Sequence, residues 1–454
     1  MRDGAAAAAT TSRTRRIVFG GIVFGLGTVL LLLGLFGSLD VSPRLSALGF
    51  GSALLFIGTA MLSVLFAGAV TRLIGAPVEA VKGLTGRLGR DNASRNPQRT
   101  SATATALMIG LALITGVAVL TASIQTTLNR TLDETVAADL FVFDDAQGLE
   151  FAPSAVDQLA ADPAISAASG RSRISARIDG EVAGVSGLDL ATEDRVFDLQ
   201  LSEGSYNAGD SGVLVLRETA EELGLTLGDE IDVEFELIDG TFEIVGIFDD
   251  NTLAANDWVF DRSVTTAAAD IAAVEFVGAV LADGIEPAAG QMAAEAAIAN
   301  FPQLAVQDNT EFRETQEAQI AQVQALIFAL LGLCIVVAFI GIVNTMALSV
   351  LERTREIGLL RAVGTTRRQL RSMVRWEAVI VGLFGALLGV VLGLVIGNAA
   401  VTAIPDSVAA TVEIPWGWAI ALLIVGAVLG VLAAVFPARR AANMNVLDAI
   451  GSAV

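Results

Sequence analysis

A chain of 454 residues with 54% hydrophobic and 17% charged residues has the balance of a membrane protein, and its net charge of −21 argues against general nucleic-acid binding. It has no histidine, one cysteine (Cys334) and one lysine (Lys82). Histidine-dependent zinc sites, Ser-His-Asp triads, an intrachain disulfide and a Walker A lysine loop are thereby excluded.

About 20 consecutive apolar residues are needed to cross a bilayer core. Taken in chain order, six runs meet that length: Ile17–Gly37, Ala47–Val70, Ala102–Ala122, Ala321–Val350, Ala378–Gly397 and Ile420–Phe436. Residues 1–16 carry four Arg and one Asp, and precede a hairpin of two spans with a short turn at Asp40–Arg44. The basic, glycine-containing segment 76–100 predicts a short interfacial helix, although its charge alone fits a solvated loop equally well. The third span is diluted by Thr103, Thr105 and Thr115.

Between the third and fourth spans lie residues 123–320, with eight Arg and 39 Asp and Glu. The acidity of the chain is therefore the property of one domain. Helical pattern continues out of the third span, and EFRETQEAQIAQVQALIF runs without a breaker into the fourth, which predicts helical stalks on both sides. Strands are expected at Asp139–Phe143, Val182–Leu188, Gly212–Leu216, Val274–Leu281 and Leu304–Val306. Helices are expected at Pro153–Ala161, Glu218–Leu223 and Pro287–Ala299. IDVEFELI and TFEIVGIF flank Asp239-Gly240, which predicts a hairpin with a tight two-residue turn. The paired acids Asp249-Asp250 and Glu221-Glu222 lack calcium-loop spacing and read as solvated surface. No metal or other cofactor is implied, and no catalytic constellation is present.

Residues 351–375, LERTREIGLLRAVGTTRRQLRSMVR, lie between the fourth and fifth spans and hold seven Arg against two Glu. Ile357, Leu359, Leu360 and Val363 give a short amphipathic helix, Gly364 a stop, and Thr365-Thr366 the start of a second helix. The fifth span repeats Gly382, Gly385, Gly389, Gly393 and Gly397 at the small-residue spacing of close helix packing. Basic short segments (1–16, 71–100, 351–375 and the tail 437–454) all fall on one side of a six-span model, so both termini are expected in the cytoplasm of a cell membrane.

The expected fold is thus a multi-pass α-helical membrane protein with six transmembrane helices and a large extracytoplasmic α+β domain between the third and fourth. Its parts are an N-terminal linker and hairpin (1–75), an interfacial segment with the third span (76–122), the external domain with its stalks (123–320), and three C-terminal spans with a cytoplasmic helix and tail (321–454).

ERTREIGLLRAVGTTRRQL, from Glu352 to Leu370, closely resembles the cytoplasmic signature of FtsX-like permeases, the MacB-type class of ABC transporter membrane subunits. Glu352, Arg353, Glu356, Ile357, Gly358, Leu360, Arg361, Ala362 and Gly364 stand where that pattern has them. SRNPQRTSATATALMIGLALI (Ser94–Ile114) and FPARRAANMNVLDAI (Phe436–Ile450) resemble the entry and the end of such a module. The resemblance covers roughly residues 80–454, and the first two spans are extra to it; the chain looks like the linker hairpin plus second module of a two-module member.

That resemblance implies a permease that transmits the work of a separate ATPase subunit to the external domain, for export or mechanotransmission, and that is not itself an enzyme. The ATPase would seat on Glu352, Arg353, Arg355, Glu356, Gly358, Leu360, Arg361, Gly364, Arg367 and Arg368. A second permease module or protomer and membrane lipid are the other implied partners. The alternative is a membrane sensor or scaffold whose external domain binds a ligand or a cell-wall hydrolase.

Overall fold

A computed structural model describes residues 2–37, 41–134, 136–145, 150–209, 211–249, 256–269, 273–404 and 411–444. Six of the helices are long and apolar enough to cross a membrane. They are α1 (Arg2–Phe36), α2 (Val41–Lys82), α4 (Pro97–Glu134), α10 (Asn309–Glu352), α12 (Arg367–Val401) and α13 (Trp416–Asn443), with short α3 (Leu84–Arg95) and α11 (Thr354–Ala362) between them. The chain divides into two compact units, residues 125–321 forming one and the helices outside that range the other.

In the helical unit, close approach is purchased with glycine. A Cβ on Gly385 or Gly389 of α12 would lie 2.7 or 2.8 Å from a carbonyl of α4, and one on Gly382 would lie 2.5 Å from Gly426 of α13. The glycine spacing read from the sequence is therefore a contact stripe against two neighbours. Leu107, Leu111, Ile380 and Phe384 fill the space alongside it. The threonines that dilute the third span are satisfied within their own helix: Thr103, Thr105 and Thr115 each donate to the carbonyl four residues back, at 2.7–2.9 Å. A hydroxyl bonded this way adds little cost in an apolar span. The expected helix within 76–100 is α3, although its first residues continue α2.

The other unit is α+β. Ten strands form one sheet: β1 (Leu140–Asp144), β2 (Ile165–Ile178), β3 (Glu181–Leu188), β4 (Leu201–Gly204), β5 (Gly212–Leu216), β6 (Glu230–Glu234), β7 (Asp239–Phe248), β8 (Trp258–Asp261), β9 (Val274–Leu281) and β10 (Leu304–Asp308). The order is β10-β1-β9-β2-β3-β8-β5-β7-β4, with β6 pairing β2 and β7. Only β3–β8 and β5–β7 are parallel among these pairings. Five short helices, α5 (Ser154–Ala160), α6 (Leu190–Val196), α7 (Arg217–Leu223), α8 (Arg262–Ala268) and α9 (Pro287–Ala297), connect the strands. Phe141 stacks on Phe312 at 4.2 Å between ring centres, so α10 begins within this unit's core.

The turn expected at Asp40–Arg44 is helical from Val41 onward, Asp40 itself lying outside the described residues, and one expectation in the sheet unit is overturned. Asp239 and Gly240 do not form the hairpin turn; they pair with Glu234 and Val233 inside the β6–β7 ladder. The turn is the preceding stretch, where the Phe235 amide donates to the Ile238 carbonyl at 2.9 Å. Phe235 decides this. It is buried edge-on against Phe242 and Phe260, 5.9 and 5.3 Å away, while Leu237 and Ile238 are exposed. A core anchor for three rings outweighs the local turn preference of Asp-Gly.

Candidate functional site

The basic segment forms a helix–hinge–helix. α10 ends at Glu352, Arg353 opens α11, and α11 closes at Ala362. Gly364 then takes φ 107°, and the amides of Gly364 and Thr365 donate to the carbonyls of Arg361 and Leu360 at 3.1 and 3.0 Å. This pair of reversed bonds ends a helix with a glycine in the left-handed region. Two residues later Thr366 starts α12 with a reciprocal cap: its hydroxyl accepts from the Gln369 amide, and the Gln369 side chain accepts from the Thr366 amide at 2.9 Å. The hinge angle is set locally at both ends.

α11 has two sides, divided differently from the apolar pattern. Ile357 and Gly358 are buried, with Leu360 packed beside them. Leu359 is half exposed and Val363 is 88% exposed. A nine-residue helix lying on its neighbours offers one narrow inward face, and the remaining apolar side chains stay outside. Arg355, Leu359 and Val363, spaced four apart, form the outer stripe, and exposed Arg367 follows across the hinge. Among the described residues Arg355 and Arg367 have no carboxylate within ion-pair distance.

The other charges of the segment are spent inside the unit. The Arg353 guanidinium donates to Asn92 Oδ1 of α3 at 2.5 Å and to Glu356 Oε2 at 2.9 Å, and lies 3.6 Å from Glu377 Oε2 of α12. Glu377 has a side chain only 5% exposed; it also meets Arg99 of α4 at 3.6 Å and accepts from Asn92 at 3.3 Å. Glu352 meets Arg99 at 3.4 Å. Arg361 donates to the carbonyls of Met444 and Ala442, 2.5 and 3.4 Å away, covering the end of α13. Arg368 lies on a different face, beside Arg371 and Arg375 of α12. The ten residues expected to form one docking face thus split into an outer set and an inner set that ties four helices together.

Asn92 and Glu377 lie outside the motifs, and Arg99 falls within Ser94–Ile114 without being singled out there. Glu377 could have been noticed, because an acid in the first turns of an apolar span is costly unless paired. Two of its partners, Arg99 and Asn92, are 278 and 285 positions away and leave no local pattern.

The sheet unit holds a different buried acid. Glu193 of α6 is fully buried; one oxygen accepts from the Ser169 hydroxyl of β2 and the other has no hydrogen-bond partner among the described residues. Burial pushes its carboxyl up to about 8, against the Ser169 bond. Nearby Asp189 is also raised by burial, opposed by the Gly170 amide and by Arg262, which donates to it at 2.8 Å.

Residues 328–446, which include the whole helix–hinge–helix, match the family model of the FtsX-like permease C-terminal domain, and residues 100–297 match that of the MacB-like periplasmic core domain. The chain belongs to the MacB-type, FtsX-like permease family. Over 275 residues this permease is 27% identical to the pyoverdine export ATP-binding/permease protein PvdT of Pseudomonas syringae pv. tomato, a match covering 57% of this chain and 41% of that protein. It is 30% identical over 142 residues to the macrolide export ATP-binding/permease protein MacB of Escherichia coli, covering 31% and 22% of the two chains. It is 29% identical over 130 residues to the ABC transporter permease YtrF of Bacillus subtilis, covering 26% and 30%. Against these relatives the permease spans 41% or less of their own lengths.

Proposed function

We propose that this permease is the membrane subunit of an ABC transporter in the cell membrane, with both termini cytoplasmic, and that a separate ATPase subunit seats on the outer stripe of α11. The observation that supports this reading is the division of α11 itself. Arg355, Leu359, Val363 and Arg367 are exposed, with uncovered apolar surface and charge that has no ion-pair partner among the described residues, while Arg353 and Arg361 are bonded inward. A stripe of two apolar side chains flanked by arginines fits a protein groove with an acidic rim, where apolar contacts give affinity and charge gives approach and register.

The work passes outward through α4 and α10. Each is one unbroken helix, of 38 and 44 residues, that begins or ends in the sheet unit. A continuous helix transmits displacement that a flexible linker would absorb. The permease acts in this way on a substrate or partner outside the membrane, by export or by mechanotransmission.

Cross-linking tests the seat. With Cys334 replaced by Ser, a cysteine at Val363 should cross-link to the co-expressed ATPase subunit, because that side chain is 88% exposed at the tip of the stripe. A cysteine at Ile357, buried in the same helix, should not. Equal yields at the two positions, or none at Val363 when the two proteins co-purify, would remove α11 from the interface.

A further inference from the structure

A second basic feature lies on α12, apart from the α11 stripe. Arg368, Arg371, Ser372, Arg375, Trp376 and Val379 recur on one helix face, and with Lys82 at the end of α2 and Val431 of α13 they line a hollow of about 550 Å³. That is an ordinary size for a small-ligand pocket. Its rim holds four cations. Among the described residues, none of the four has a carboxylate within ion-pair distance; the Arg371 Nε donates only to the Arg367 carbonyl at 3.3 Å. The Lys82 ammonium sits 5.9 Å from the centre of the Trp376 ring. Four like charges converging on one hollow repel one another, and an anion placed there removes that cost.

The floor says which anion. Val379, one turn along α12 from Arg375, is 6% exposed and forms the floor; Val431, in the apolar part of α13, is 39% exposed and forms an open apolar side. From rim to floor, the hollow passes from guanidinium through an indole to aliphatic side chains, along a helix that continues as a membrane span. Tryptophan is enriched at the headgroup level of a bilayer, and basic pockets between spans hold anionic headgroups. A soluble phosphate would use the rim but not the floor. We propose that this hollow is a binding site for an anionic phospholipid: the arginines and Lys82 hold the headgroup phosphate, and the acyl chains leave over Val379 and Val431. The site shares no residue with the proposed ATPase seat, although Arg367 of that seat begins the same helix, α12.

The test uses the full-length permease in detergent, with thermal unfolding followed as phosphatidylglycerol, phosphatidylcholine or inorganic phosphate is added. Phosphatidylglycerol should raise the midpoint of the wild type, and the other two should not. Arg371→Gln/Arg375→Gln should lose most of that rise, whereas Arg439→Gln/Arg440→Gln, which removes the same charge from exposed positions of α13, should keep it. If the first double variant does not accumulate, Arg375→Gln alone, which removes one of the four rim cations, should lower the rise while the α13 control keeps it. A rise that survives Arg371→Gln/Arg375→Gln, one that is lost equally in the α13 control, or one that inorganic phosphate reproduces would each overturn the lipid site.

Discussion

Two buried glutamates, one in each unit, are kept in opposite ways. Glu377 is surrounded by Arg99, Arg353 and Asn92 from three other segments, so its burial holds helices together. Glu193 has the Ser169 hydroxyl on one oxygen and, among the described residues, no hydrogen-bond partner on the other, and burial drives it toward the neutral acid. Close ion pairs turn a buried carboxylate into a joint; where burial outweighs the charge of Arg171, the result is a proton-dependent packing group. The contrast assigns different duties to residues that look alike in composition, and it can be broken at either end.

The largest expected effect is at the joint. Arg353→Glu would face Glu356 and Glu377 with a third acid and leave Glu377 short of one of its two arginines. Breaking a buried pair from one side costs about 3–5 kcal/mol. The detergent-purified variant should melt well below the wild type, if it accumulates at all. A wild-type midpoint would mean that Arg353 holds nothing.

Next comes the sheet unit. Glu193 has a folded-state pKa of about 8, above its ordinary value of 4.5. Between those values the folded state binds more protons than the unfolded one. Stability should therefore fall as pH rises through that window and level off above about 8, with a slope of at most about 1.4 kcal/mol per pH unit. Glu193→Gln, which keeps the volume and a bond to Ser169, should flatten that part of the profile. Urea unfolding of the fragment 125–321 at a series of pH values reads it. That fragment keeps Phe312 against Phe141, a contact that trimming to residues 140–305 would lose. An unchanged slope in the variant would place the pH dependence on another group.

The smallest effect is at the hinge. Gly364 has φ 107° with open space where a side chain would go, so Gly364→Val is strained in the backbone alone. The cost should be about 1–2 kcal/mol. A melting shift as large as that of Arg353→Glu would mean the hinge, not the charged joint, holds the segment.

Local and long-range determinants divide in the same way along the sequence. The spans were legible because an apolar run long enough for a bilayer has few other uses. The Gly364 stop and the Thr366 start were legible because capping depends on neighbours a few positions apart. β2 was not: ISAASGRSRISARI has few β-branched residues, and its 14-residue length is imposed by pairing with β3, β6 and β9. The Asp239-Gly240 turn failed because Phe235 packs against residues from a distant strand. The split of the basic segment into inner and outer charges was illegible for the same reason. Arg353 and Arg355 differ only in what α3 and α12 bring to them.

In the proposed arrangement, the outer charges of α11 and the hinge meet the ATPase while the inner ones hold the permease together. The direct measurement compares two double variants, Arg355→Glu/Arg367→Glu and Arg353→Glu/Arg361→Glu, for melting temperature and for co-purification of the ATPase subunit in detergent. The outer pair should melt like the wild type and lose the ATPase, since like charges across an interface cost several kcal/mol. The inner pair should lower the melting temperature first, with loss of the ATPase following from loss of structure. If the outer pair keeps the ATPase at wild-type levels, the stripe is not its seat, and Arg355 and Arg367 are topology signals alone.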